Sequence, residues 1–141
     1  MKECYVSFEQ AKILKELGFD GWKYDDCDFW YYKNYDDPDK TIFERSEITD
    51  GYEVKEYWFA PTYALARSWI FEEYGLWIEL HLVPAIEPSP CKFVWSITDK
   101  TTGHVCSGAK DLKWIGNEQH CWRCGIDKAL DIIQARIYEF D

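Results

Sequence analysis

No apolar run in this chain approaches the roughly 18–20 residues that a membrane-crossing helix needs. The opening Met1-Lys2-Glu3-Cys4-Tyr5 lacks the basic-then-apolar layout of a signal peptide, so a cytoplasmic location is expected. Motif chemistry is equally sparse. There is no phosphate-cradling glycine loop, no dinucleotide fingerprint and no nucleophile elbow. The acid-rich runs around Asp25, Asp26, Asp28, Asp36, Asp37 and Asp39 do not place ligands at alternate positions about a central glycine with a closing Glu, which excludes an EF-hand loop. Positive charge is scarce too. The net charge is −10, and between Asp20 and Glu56 acids exceed bases by seven. A surface of that sign repels phosphate backbones, so direct nucleic-acid binding is disfavoured and the charge serves solubility or a basic protein partner.

What the sequence does have is aromatic mass. Of 141 residues, 47% are hydrophobic and 18% aromatic, with eight Trp, ten Tyr and eight Phe. That is enough for a real core, and the length suggests a single globular domain over residues 1–141. Six cysteines in a chain without a secretory leader are expected to be reduced thiols, most of them small buried apolar groups.

The best-marked stretch runs from Ala60 to Val83. A helix beginning at Pro61, or one capped by Thr62, carries an apolar stripe of Leu65, Ala66, Trp69, Ile70 and Tyr74 and ends at Gly75. A strand follows at once, with Ile78, Leu80 and Leu82 on one face and Trp77, Glu79 and His81 on the other. The Ile78 face is expected to be buried against all three helices of the protein. Ser7-Phe8-Glu9-Gln10 has the form of a capping box and opens a first helix over about Phe8–Leu17, stopped by Gly18. Asn117 is placed to cap a last helix whose stripe is Trp122, Ile126, Ala129, Leu130, Ile133 and Ile137.

Strands are expected at Phe29–Asn34, at Ile42-Phe43, at Tyr52–Phe59, at Lys92–Thr98 and at His104–Cys106, the early ones pairing as an antiparallel meander. Asp99–Gly103 reads as a turn, and the three prolines between Pro84 and Pro90 as a connection. The architecture implied is α+β: an antiparallel sheet of about four to six strands with three helices packed mainly on one face.

Three stretches resemble an uncharacterised family of small hypothetical proteins from gut Bacteroidetes and their phages and prophages. They are Tyr5-Val6-Ser7-Phe8-Glu9-Gln10-Ala11-Lys12-Ile13-Leu14-Lys15-Glu16-Leu17-Gly18-Phe19-Asp20, then Ala60-Pro61-Thr62 with the helix through Trp69, and Gly125-Ile126-Asp127-Lys128-Ala129-Leu130. The resemblance implies a shared fold and a phage or mobile-element setting. It implies no activity, cofactor or site residue. The family has other residues where this chain has His120, Cys121 and Cys124.

Two constellations are candidates for chemistry. Cys121 and Cys124 lie one turn apart on the last helix, opposite the Trp122–Ile126–Leu130 stripe on a helical wheel. His104 and Cys106, two apart on a strand, would share a face. Together the four could hold a tetrahedral zinc, although one Cys-x-x-Cys without a second is a weak pattern; a redox dithiol at Cys121 and Cys124 is the related alternative. Glu79 beside His81 could serve acid–base chemistry, but nothing else in the sequence converges on them, and a solvated sheet face is expected.

The remaining candidate is a binding surface. Trp22, Trp30, Tyr31, Tyr32, Tyr57 and Trp58 cannot all be inside if their strands alternate, so an exposed patch is expected, drawn from Trp30, Tyr32, Trp58, Trp77, Glu79 and His81. The function expected is thus non-enzymatic: a mobile-element accessory protein binding a protein partner through acidic and aromatic surface, with no cofactor. The alternatives are a structural-zinc or thiol-redox protein and a small-ligand or carbohydrate-binding module.

Overall fold

A computed structural model describes residues 5–25, 27, 29–32, 41–44, 57–84, 92–109 and 118–139, with backbone only at 32, 41–44, 92, 109 and 118–120. The fold is α+β, with three α-helices and six strands among the described residues. The strands are shared between two three-stranded antiparallel sheets rather than gathered in one. Length alone suggests one domain; within that span the chain forms two compact units, Met1–Ala66 and Arg67–Asp141.

The first unit opens with helix α1, Phe8–Glu16. Its start is the expected capping box: the Gln10 amide donates to Ser7 Oγ and the Ser7 amide to Gln10 Oε1, satisfying two backbone donors that have no helical partner. Its stop is local as well. Gly18 takes φ 103°, which a residue with a Cβ avoids, and Phe19 N–H closes on Leu14 O. A 3-10 turn follows at Gly21–Lys23, where the chain had no evident order by pattern. Strands β1 (Phe29–Tyr32), β2 (Thr41–Glu44) and β3 (Tyr57–Phe59) form the sheet in the order β2-β1-β3. The meander is therefore corrected: β3 pairs with β1, Trp30 opposite Phe59 and Tyr31 opposite Trp58, and not with β2.

Central β1 is covered on both faces. Trp30 and Tyr31, successive residues pointing opposite ways, are both buried. Tyr31 reaches its hydroxyl to Val6 O and meets the Phe8 ring of α1 edge-on, while Trp30 packs against Tyr57. Burying an aromatic of this size stabilises by very roughly 1.5–3 kcal/mol, so a strand with two apolar faces is favoured in the middle of its sheet. The entry strand-like segment is tied down by the Tyr5–Thr62 bridge and by Val6 N–H to Pro61 O.

Helix α2, Tyr63–Tyr74, begins in this unit. Leu65 N–H donates to Thr62 Oγ1, so Thr62 is the N-cap and Pro61 stands outside the helix. Gly75, at φ 73°, ends it, and β4 (Leu76–Val83) starts at the next residue.

In the second unit β4, β5 (Lys92–Asp99) and β6 (Gly103–Ala109) lie in chain order. The β5–β6 turn is closed by Asp99, whose Oδ1 accepts from the amides of Thr101 and Thr102. Helix α3, Glu118–Glu139, packs on β4 and β5. Of the expected stripe, Ile126, Ala129, Leu130 and Ile133 are buried, while Trp122 is partly exposed and Ile137 exposed. Gly125 lets the helix come down onto Ile78 and Trp95. Cover runs out along β4: Ile78 is fully buried, Leu80 partly, and Leu82 is 58% exposed. The expectation that Ile78, Leu80 and Leu82 all meet three helices is thereby corrected. Helix α1 packs on β3 of its own unit, and α3 covers the Ile78 end of the second sheet.

The end of the strand expected at Phe29–Asn34, the early part of that at Tyr52–Phe59, the proline-rich connection at 85–90 and the Asn117 cap fall outside the described residues, as do Cys4, Cys91 and Asp26, Asp28, Asp36, Asp37 and Asp39.

Candidate functional site

Among the described residues, a built surface feature lies at the junction of α1, the 3-10 turn and β3. Asp20 caps the turn by accepting the Trp22 amide on Oδ1 at 3.0 Å. Gly21 sits flat on the Phe59 ring; a Cβ there would fall inside it. This close approach fixes Trp22, whose indole meets Phe59 edge-on at 5.1 Å and donates Nε1–H to the Tyr57 hydroxyl at 3.0 Å. Tyr57 is itself held edge-on by Trp30 and Phe59. Lys15, in the last turn of α1, donates its ammonium to Tyr57 O at 2.7 Å and lies over the Tyr57 and Trp58 rings at 5.3 and 5.6 Å.

These residues enclose a groove of about 190 Å³, lined by Ala11, Lys15, Phe19, Asp20, Trp22, Tyr57 and Phe59. Trp22 is 42% exposed at its rim and is the most exposed tryptophan among the described residues. An indole oriented by its neighbours and left open to water is a preorganised contact, because little rotamer freedom remains to be lost on binding.

The surface expected from sequence is redrawn by this arrangement. Trp30 and Trp58 are buried in the first sheet and belong to its core, because both faces of β1 and the inner face of β3 are covered. The side chain of Tyr32 lies outside the described residues. Trp22 is exposed and Tyr57 partly exposed in their place. Lys15, Asp20 and Phe59 were not anticipated. The signal that could have found them is Asp20-Gly21-Trp22 directly after the Gly18 stop: a turn former, a residue without a Cβ and a large aromatic, which together describe a tight turn presenting an indole.

Trp77, Glu79 and His81 do share the outer face of β4. Trp77 Nε1–H donates to Glu79 Oε1 at 3.1 Å, and His81 Nε2 lies 3.2 Å from Glu79 Oε2. Both polar side chains are about half exposed. Trp77 is only partly exposed, because Phe71 packs edge-on against it and the Arg67 guanidinium lies over it at 4.3 Å. Cross-strand neighbours on this face are Thr98, Ser96 and Val94. With both side chains about half exposed, the arrangement is a solvated polar stripe.

The four candidate zinc ligands are not assembled. Among the described residues no group of three or more His, Cys, Asp or Glu is placed to hold a metal. The reason is a bulge in β6. Cys106 is opposite Ile97 but His104 is opposite Thr98, so Val105 is the extra residue. Ile97 and Thr98 point to opposite faces, and residues directly opposite share a face. Cys106 therefore lies on the α3 side and His104, exposed, on the other. Cys121 is also displaced from its expected surface position: it is buried, while Cys124 and Trp122 are partly exposed.

No protein-family model, curated protein or solved structure matches the chain. No helix among the described residues is long and apolar enough to cross a membrane.

Proposed function

We propose that this is a non-enzymatic binding protein that acts on a protein partner by taking one of its side chains into the Trp22–Tyr57 groove. The observation that carries this is the size and make-up of the groove. At about 190 Å³ it is smaller than the roughly 300–1,000 Å³ of small-molecule sites. It suits one large side chain and argues against the small-ligand or carbohydrate reading. The acidic excess of the chain favours a basic partner, steering encounter while the aromatic rim supplies contact area. A cytoplasmic, phage- or mobile-element accessory role is consistent with the resemblance at Tyr5–Asp20 and Ala60–Trp69. The zinc reading, which needs His104 and Cys106 on one strand face, is disfavoured by their placement on opposite faces of β6.

Selection of peptides from a random display library on the full-length protein tests this directly. Binders enriched in Lys or Arg around one bulky side chain are expected, and Trp22→Ala should abolish their binding while leaving the circular dichroism unchanged. Binders indifferent to Trp22, or no binders from a folded bait, would sink the proposal.

A further inference from the structure

Among the described residues the second sheet ends on β4, with no strand paired to its far edge. Among the described residues the backbone of Leu76–Val83 hydrogen-bonds only to β5. An eight-residue edge strand is a template for another strand unless something blunts it. Three such devices are absent from β4 itself: it contains no proline, its pairing with β5 is free of bulges, and its exposed end carries the apolar Leu82.

The sequence of β4 is complementary to itself. Antiparallel pairing of two copies about Leu80 puts Ile78 opposite Leu82 of the second copy, Glu79 opposite its His81, Leu80 opposite its Leu80, and so on symmetrically. Residues of like parity then face each other, so apolar faces join and polar faces join. The Glu79–His81 pairs of both copies meet as an alternating quartet on the polar face, and each exposed Leu82 gains the partly exposed Leu80 of the other chain as a diagonal neighbour. Centring the pair on Glu79 would set two carboxylates directly opposite, which is unfavourable. Centring it between residues would join an apolar face to a polar one.

We infer that the chain forms a two-fold symmetric homodimer by β4–β4 pairing about Leu80, making one continuous six-stranded sheet. Such an interface is isologous, each half contributing the same strand. It uses the residues of the polar stripe that the groove leaves unexplained, and it stands apart from the groove proposal.

Sedimentation equilibrium of the full-length protein over a range of concentrations tests it. A concentration-dependent dimer is expected. His81→Glu should shift it at least about tenfold toward monomer by placing carboxylates opposite each other, and Glu79→Lys should weaken it by removing the carboxylate that faces His81. The double variant Glu79→Lys/His81→Glu should restore dimer, because opposite charges then face across the interface. These side chains are half exposed, so all three variants should keep the parent circular dichroism. Leu82→Lys provides a second disruption on the apolar face. Monomer at every concentration overturns the inference. So does a dimer insensitive to both single charge changes and to Leu82→Lys, or a charge swap that fails to restore association.

Discussion

The Trp22 indole donates to the Tyr57 hydroxyl across 3.0 Å, joining a one-turn 3-10 helix to a strand 35 residues further on. The bond is exposed, so its net worth to folding is at most about 1 kcal/mol. Its larger consequence is orientation: it holds the indole at the groove rim. Tyr57→Phe should leave the melting temperature within a few degrees of the parent and weaken binding of a selected peptide by about tenfold, or about 1.4 kcal/mol. Fluorescence titration of both proteins with one peptide checks this. Equal affinities would mean that the hydroxyl does not position Trp22.

Gly21 offers a sharper probe of the same site. Its Cα hydrogen faces the Phe59 ring, and an added methyl has no room. Gly21→Ala must lift the turn or tilt the ring, which costs about 1–3 kcal/mol as overpacking. Because Asp20 and Trp22 move with the turn, peptide binding should fall together with stability. Urea unfolding at equilibrium supplies the first number and titration the second. Full stability in this variant would show that the ring yields freely.

How much of this could be read from the sequence divides by the range of the interaction. The capping box at Ser7 and Gln10, the Gly18 and Gly75 stops, and the Thr62 cap each depend on residues within one turn, and pattern reasoning reaches them. Burial of both Trp30 and Tyr31 depends on β1 becoming the central strand, which alternation within one segment does not encode. The separation of His104 from Cys106 depends on a single extra residue, Val105, and two-residue spacing on a regular strand predicts the opposite. Cys121 was misplaced because a helical wheel fixes relative angles but not which arc meets the sheet. The groove is the extreme case: Lys15, Trp22 and Tyr57 come from three elements, and only Trp22 stands out locally.

Asp99 yields a pH prediction. The Thr101 amide, then the Arg136 guanidinium at 2.9 Å and the Thr102 amide, hold its carboxyl below the usual carboxylate range, outweighing the opposing effect of its burial. A folded-state value below the unfolded one, about 3.9, means that the charged form contributes stability above that value. The contribution is lost as pH falls through the folded value. Asp99→Asn should therefore be less stable than the parent at pH 7, and the gap should close on acidification below about pH 4. Arg136→Gln should have a smaller effect, since that side chain is 41% exposed and its pairing is screened. Urea midpoints measured from pH 7 down to strongly acid solution test the trend. A gap that stays constant with pH would remove ionised Asp99 as the cause.

Arg67 sits in a balance that a contact inventory would misjudge. Its guanidinium lies 4.3 Å from the Trp77 ring centroid and 5.3 Å from that of Trp122. Stacking of this kind is favourable by about 0.5–2 kcal/mol. Its Nε, however, is buried with no hydrogen-bond partner among the described residues, and an unsatisfied buried donor costs about 1–3 kcal/mol. The two nearly cancel. Arg67→Met keeps an apolar stem between the indoles and removes both effects, so it should change stability by less than about 1 kcal/mol. Arg67→Ala removes the stem as well and should cost more, because the side chain covers apolar surface along its length. Arg67→Lys should fall below Met, since a compact, strongly hydrated ammonium does not reproduce the planar stack. Urea unfolding of the three variants gives the order Met, Lys, Ala if packing dominates. If Met proves as damaging as Ala, the cation itself, and not its stem, holds the two tryptophans together.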